Sequence, residues 1–535
     1  MDLQKATEKL RETITEGIDT ELKRYGFFED EIADFEPDAF TEEERDAAKE
    51  AYETIKAVVE GEKESNNKTY KEARNHYLKE ASFTFFNRMV GIKVMEANGL
   101  IKETITERKE HGDRSLRHNL FLEENPTHRG TSGLGRKQFF REVFKKQAEE
   151  LPDLYREDHQ YGPFVPGSEL IRDVTEIINE VPLEEWKKDD TLGWVYQYYN
   201  QPDKEEVYEG LSNSEKIDNR DKLIAATQLY TEDYMVDYLV ENSLGRLWLE
   251  QNPDSDLRDQ MELFDPHPEL QDRSEGEQKP VEKITFFDPA CGSGHFLLKA
   301  FDIFYEMYKE AGHEPASIPA KIIENNLFGT DLDERAVQIA IIALYIKNKA
   351  KKKELTESSN LELTRFNLTP AHLGGLESDG AGWLKDQMGK SVSLEEIQNL
   401  LDQLDQIDTY GSLVNVRDLV KDVSPEEIKG DGFFSADEFA KNVDNRKSKL
   451  LGKLKEMTQT DNLAEETLGL GSIRKVHLLS LLANKYDVVA TNPPYMSKGN
   501  LGGEMKSFLE DHYPDAKNDI YASFIKACTE FSRDF

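Results

Sequence analysis

Cysteine is almost missing from this chain. Cys291 and Cys528 are the only two in 535 residues and stand far apart, which excludes a disulfide framework and a cysteine-based zinc site. No apolar run approaches the ~18 residues that a membrane-crossing helix needs. The opening "MDLQKATEKLRETI" is acidic and amphipathic, unlike a secretion leader. A cytoplasmic protein with no membrane partner is expected. Basic residues are also scarce: 68 Lys and Arg face 106 Asp and Glu, a net charge of −38. Such a surface repels nucleic acid in dilute buffer. It suits either an acidic binding partner or regulator, or a halophile's cytoplasm, where the Debye length is only ~3 Å at 1 M salt. The acid is spread over nearly every segment rather than gathered into a tail, which favours the halophile.

The length allows two to four domains. Residues 1 to about 220 read as a helical N-terminal domain. In "ASFTFFNRMVGIKVMEANGLI", Phe85, Met89, Ile92 and Met95 share a helix face wide enough to require burial. A second aromatic cluster, Gly193 to Val207, reads as a helix that Pro202 stops. Aromatics at helical spacing are usually core, and both clusters are read so.

From residue 221 the pattern changes. In "QLYTEDYMVDYLVENSLGRLWLE", Asp233 is placed to cap a helix whose face carries Met235, Leu239 and Val240. The polar stretch 265–280 reads as a surface loop. Its Pro268, Glu269, Glu277 and Lys279 echo a nuclease metal site but lack flanking strands, so no metal is assigned. "KITFFDPACGSGHFLLKAFDIFYEMY" then gives a short apolar strand, a glycine turn, and a helix with Phe296, Ala300, Phe304 and Tyr308 at intervals of four. "NNLFGTDLDERAVQIAIIALYIK" repeats the plan, with Asp331 ending the strand and Asp333 placed to cap the helix. Strands alternating with helices imply an α/β fold with a parallel sheet and a ligand crevice at the strands' carboxyl ends. Between Asp331 and Asn492 lie about 160 residues, where two strand–helix units would fill only ~60. A helical insertion over about 350 to 480 is therefore expected, with Leu394, Ile397, Leu401 and Leu404 in register, inside a core running from 221 to 535.

Two motifs carry chemistry. Gly292 and Gly294 let the backbone approach a ligand at a helix N-terminus, with the Asp288 carboxylate beside them. A pyrophosphate-binding turn would usually carry a third glycine where Leu297 stands. A carboxylate there disfavours phosphate and suits the ammonium or sulfonium of S-adenosylmethionine. Asp331 could accept from ribose hydroxyls, although an acid at a strand end is often only a helix cap. The second motif closes "KYDVVATNPPYMSKGN". An exocyclic amine or amide nitrogen is a poor nucleophile because its lone pair is delocalised. The Asn492 side-chain oxygen and the Pro493 carbonyl can accept its two hydrogens and draw it toward a tetrahedral shape. Pro494 stiffens the corner and Tyr495 stacks on the planar substrate. The bland alternative is a surface turn, but a strand-like "YDVVA" leads straight into it.

"FDPACGSGHFL", "GTDLDERAVQIA" and "NPPY", in that order, resemble the motifs of N6-adenine DNA methyltransferases. With "FTFFNRMVGIKVME", "GWVYQYYN" and "TYGSL", the pattern is similar to the PglX family, the adenine methyltransferases of BREX phage-defence systems. The resemblance implies a Rossmann-like core and S-adenosylmethionine as cofactor, held by Thr231, Asp288, Ala290, Gly292, Gly294, Asp331 and Leu332. It implies double-stranded DNA with a flipped adenine as substrate and other BREX proteins as partners. "KNDIYASFIKACTEFSRDF" resembles the helix whose Asp519, Tyr521 and Phe524 line the target side. The acidic residue that should hold the cofactor adenine after the third strand has no clear match, "FNLTPAHL" being the candidate stretch. Only 40 residues follow Tyr495, too few for the family's further strands and target-recognition domain, so either a second polypeptide completing the core or a degenerate enzyme inactive by itself is expected. Methylation of a protein glutamine amide and a non-catalytic assembly or DNA-binding role are the alternatives.

Overall fold

The computed structural model describes residues 1–65, 68–266, 278–355, 366–371, 407, 409–414 and 477–533. These form two compact units. One comprises Met1–Gln201 with Ile341–Leu363, the other Pro202–Ala340 with Thr364–Phe535.

The first unit is helical. Helix α1 (Leu3–Arg24) starts where the Asp2 carboxylate accepts from Lys5 N at 2.9 Å, and it buries Leu10, Ile14, Ile18 and Leu22. Helix α2 spans Arg45–Ser65. Helix α3 (Tyr70–Ala97) opens with a reciprocal Thr69–Glu72 capping box. Phe85, Met89, Ile92 and Met95 are buried as the spacing predicts, and so is nearly every other residue from Ala81 to Glu96. The buried Arg88 guanidinium donates to three carbonyls, those of Leu154, Gly162 and Arg156. The charge sunk in that core is thus met by acceptors on three sides.

Helix α4 (Thr191–Ser212) corrects one expectation, since Pro202 lies inside it rather than ending it. Proline removes one rung of the ladder and typically costs about 3 kcal/mol in a helix interior. Packing outweighs it here. Before the proline, Tyr199 meets Phe83 and Phe86 at 4.9 and 4.5 Å; after it, the Tyr208 hydroxyl donates to the Ala226 carbonyl at 3.2 Å.

The second unit carries a four-stranded sheet. Strands β1 (Phe286–Asp288), β2 (Leu327–Asp331), β3 (Asn367–Pro370) and β4 (Val488–Val489) lie in the order β3-β2-β1-β4, and all pairs are parallel. The chain is thus mainly helical with a small parallel sheet, an α/β arrangement. Phe286, Phe287 and Asp288 are all buried, as in a sheet covered on both faces. Helix α5 (Asp233–Val240) precedes the sheet, α6 (His295–Glu310) follows β1, and α7 (Glu334–Leu355) follows β2. Helix α8 (Ile520–Phe531) closes the unit.

β4 has only two residues, and a buried carboxylate fixes its register. Asp487 accepts from Thr285 N at 2.8 Å, Thr285 Oγ1 at 3.0 Å and Arg533 Nη1 at 2.8 Å, and from Lys279 Nζ. Phe287 stacks on Tyr486 at 4.4 Å and meets Phe531 edge-on at 5.2 Å, building the core behind the strand.

Three readings change here. Asp233 is not the cap of α5. Glu232 holds that position, and Asp233 in the first turn pairs with His295 Nε2 at 3.1 Å. The face that the spacing groups together is divided in its burial. Val236 and Val240 are buried, while Met235 and Leu239 are 43% and 42% exposed. Six of its eight residues are apolar or aromatic, so spacing alone cannot choose its inner face. Finally, α7 continues to Leu355 and β3 stands at Asn367–Pro370, both inside the interval read as a helical insertion. The heptad-like Leu394, Ile397, Leu401 and Leu404 lie outside the described residues, as do Pro268, Glu269 and Glu277.

Candidate active site

In a parallel sheet the ligand crevice lies outside the carboxyl ends of the strands, and β1 and β4 are neighbours in this one. The glycine turn follows β1 and the proline corner follows β4, so both border that crevice. The Ala490 amide donates to the Phe287 carbonyl at 3.1 Å, carrying the pairing to the corner's threshold. The Thr491 hydroxyl reaches the Ala290 carbonyl at 3.5 Å.

The turn is shaped by two glycines in the left-handed region, Gly292 at φ 51° and Gly294 at φ 90°. A side chain on Gly292 would project into open space. On Gly294 it would meet the Ala340 methyl of α7 at 2.9 Å, closer than carbon atoms approach. The loop is tied to the next strand by Asp331, whose carboxylate accepts from the Gly292 and Asp333 amides at 2.8 and 2.9 Å. Asp333 caps α7 through the Arg335 amide at 3.0 Å and pairs with the Arg335 guanidinium.

Asp288 is fully buried. Its Oδ1 accepts from the Ala290 amide at 3.1 Å, and its Oδ2 lies buried without a hydrogen-bond partner among the described residues. Burial pushes its carboxyl up to about 7 against the pull of the nearby Thr491 hydroxyl and the Ala290 amide, and it pushes Asp331 up to about 6 against the pull of the Asp333 and Gly292 amides. The intervening Cys291 thiol is raised as well, by burial and by the two acids. An acid held near neutrality by its surroundings, with one oxygen uncommitted, is poised to ionise when a cation arrives.

Thr231 is drawn into the same crevice. The Tyr230 ring stacks on His295, the first residue of α6, at 4.6 Å and 3°. Lys299 of α6 reaches Asp237 at 2.8 Å and the buried Glu241 at 3.0 Å, pinning α5 to α6. The Thr231 hydroxyl then accepts from Asn492 Nδ2 at 3.0 Å.

Beyond the corner the chain turns back along the start of α8. The Ile520 amide donates to the Met496 carbonyl at 3.0 Å and the Lys498 amide to the Asn518 carbonyl at 2.9 Å. This sets the Tyr495 and Tyr521 rings 5.0 Å apart and nearly parallel, 51% and 39% exposed. Pro493 is buried and Pro494 half-buried beneath them. Asp519 caps α8 through the Tyr521 amide at 2.9 Å. Phe524, expected on the target side, is 5% exposed and belongs to the apolar cluster with Tyr486, Phe508 and Phe531. Its burial makes it core rather than part of the open face.

One contributor was legible only as a family likeness, "TYGSL". The Ser412 hydroxyl donates to the Pro289 carbonyl at 2.7 Å, and Gly411, at φ 57°, sits against Leu332 and Ala371. This short segment therefore walls the crevice where β1, β2 and β3 end, and no periodicity marks it. The acid sought after β3 is not found in 366–371, and His372 and Leu373 lie outside the described residues.

Residues 325–534 match the model of the Eco57I restriction-modification methylase family, and residues 271–371 that of the MmeI DNA-methyltransferase domain. The chain is 27% identical over 503 residues to the adenine-specific methyltransferase BrxX of Escherichia coli O9:H4 (strain HS), covering 84% of this chain and 38% of that protein. It is 28% identical over 515 residues to the adenine-specific methyltransferase PglX of Lacticaseibacillus casei (strain Zhang), covering 87% and 39%. It thus spans about two fifths of the length of these curated relatives. Among solved structures, the cryoEM structure of a DrdV–DNA complex aligns with a TM-score of 0.36 at 13% identity, over 99% of this chain and 35% of that one.

Proposed function

We propose that this chain carries the cofactor cleft and catalytic corner of a DNA adenine N6-methyltransferase on a Rossmann-like core, acting with other proteins of a BREX defence system. One observation supports this reading above the others. The glycine turn and the N-P-P-Y corner end neighbouring strands, and a hydrogen bond of 3.0 Å joins Thr231 beside the first to Asn492 of the second. S-adenosylmethionine fits the cleft: the uncommitted Asp288 Oδ2 suits a cationic group, and the open space above Gly292 admits a ligand against the backbone. When bound, it supplies a methyl on a positively charged sulfur, so that a nitrogen–carbon bond forms as a sulfur–carbon bond breaks.

Each residue then has a task. Thr231, Asp288, Ala290, Gly292 and Gly294 hold the methionine end, while Asp331 and Leu332 hold the ribose. Asn492 Oδ1 and the Pro493 carbonyl accept the two hydrogens of the adenine amine, aiming its lone pair into the cleft. Pro494 keeps the clamp stiff, so little reorganisation is needed. Tyr495 stacks on a base swung out of the duplex, with Tyr521 facing it and Asp519 fixing the helix that carries Tyr521. No strong general base is required, because the surplus proton can leave to solvent after the new bond forms. Positioning supplies most of the acceleration.

The test is direct. The chain should bind labelled S-adenosylmethionine, and N6-methyladenine in the source organism's DNA should depend on Asn492. A chain with no affinity for the cofactor would end this reading.

A further inference from the structure

An asparagine amide is nearly symmetric in shape and opposite in chemistry at its two ends. The nitrogen only donates and the oxygen only accepts. Which end faces a substrate is decided by whatever holds the other end. Here the nitrogen of Asn492 is engaged by the Thr231 hydroxyl at 3.0 Å, so Oδ1 is turned away from Thr231. The hydroxyl is itself held in place. Thr231 is buried, its β-branched side chain is stiff at χ1, and the residues around it are tied down by the Tyr230–His295 stack and the Asp233–His295 contact of 3.1 Å.

We propose that Thr231 is a positioning residue for methyl transfer: its hydroxyl fixes the Asn492 amide with the oxygen toward the target nitrogen. The inference rests on the methyltransferase reading above. An amine with two hydrogens needs acceptors. A reversed amide would set N–H against N–H, losing one of the two acceptors and adding a repulsion. Because the hydroxyl accepts from Asn492, its own hydrogen remains to be donated into the cofactor cleft. One side chain therefore couples the setting of the clamp to occupation of the cleft, and linkage requires that coupling to run both ways.

A cycle of substitutions separates this role from a merely structural strut. T231V keeps the side chain's shape without its hydroxyl, and T231S keeps the hydroxyl without the methyl. N492D accepts through either oxygen and so needs no orienting partner. Each variant is placed at the native locus of the source organism, and N6-methyladenine is mapped in its chromosomal DNA. S-adenosylmethionine affinity and the melting midpoint are measured on the purified full chain. Losing one fixed acceptor in a desolvated site typically costs about 10-fold to 100-fold in rate. T231V should lose methylation by that order beyond whatever it loses in cofactor affinity, which the binding measurement reads separately, and T231S should restore most of it. In the N492D background, which itself keeps methylation within about 10-fold, T231V should cost under about 3-fold.

Methylation persisting in N492A would overturn the methyltransferase reading itself. With N492A inactive, wild-type methylation in T231V, an equal T231V penalty in both backgrounds, or an inactive N492D would each overturn only the present inference. If T231V proves unstable on melting, T231A against T231S carries the same comparison.

Discussion

Consider replacing Asp288 by asparagine and following cofactor affinity against pH. Burial lifts this carboxyl from the ordinary 3.8 to about 7, a gap of about three units, or ~4 kcal/mol in favour of the neutral acid. A cation bound beside Oδ2 reverses that preference, because it binds the ionised form. Binding must then release a proton wherever the free protein still holds one. S-adenosylmethionine affinity should rise with pH through the window below about 7, by up to ~10-fold per unit, making it ~100-fold weaker at pH 5 than at pH 8. Asp331, raised to about 6, steepens the lower end. Calorimetry in buffers of different ionisation enthalpy reads the proton release directly, and S-adenosylhomocysteine, which lacks the sulfonium charge, shows how much of the slope belongs to the sulfur. D288N should bind about 10-fold more weakly at pH 8 and flatten the profile above pH 6. The free protein offers a check of sign. A carboxyl raised by folding is protonated in the folded chain and ionised in the unfolded one between about 4 and 7, so its contribution to stability is lost as pH rises through that window. Equal cofactor affinity at pH 5 and pH 8, with no proton released, would refute the reasoning.

Asn492→Ala should abolish methyl transfer, by about 100-fold or more, while leaving S-adenosylmethionine affinity within a few-fold, as equilibrium binding alongside N6-methyladenine detection will show; equal loss of both would contradict the assignment. Asp487→Ala strips a buried carboxylate from Lys279, Arg533 and Thr285 and should destabilise the sheet unit by about 3 kcal/mol, seen as a lowered melting midpoint. With a net charge of −38, DNA binding should survive molar potassium chloride in a filter-binding titration, where a protein relying on many phosphate contacts would lose orders of magnitude.

The parts of this fold that could be read in advance are those whose cause is local. Phe296, Ala300, Phe304 and Tyr308 share a buried face because they are four apart, and Gly292 and Gly294 take positive φ because a turn at that spot demands it. The failures have equally physical roots. Met235 and Leu239 share a face with Val240 by spacing but not its burial, because six of the eight residues of α5 are apolar or aromatic and the buried side depends on what docks against it. Pro202 was read as a stop because a proline's local cost is visible in sequence, whereas the tyrosines that offset it act through distant partners. The candidate site divides the same way. Its motifs were legible, but the bond from Asn492 to Thr231 joins positions 261 residues apart, and the part played by Ser412 at Pro289 depends on a fold that no spacing encodes.

The close approach of Gly294 to Ala340 leaves that position barred twice. Enlarging residue 294 drives a methyl into α7, and trimming Ala340 to make room still leaves a backbone at φ 90° that an L side chain resists. No single compensating change elsewhere can therefore free the site to vary. Drift in this protein should instead show itself at Ala340, where growth in bulk would push on the loop from behind and narrow the cleft without altering one residue of its lining.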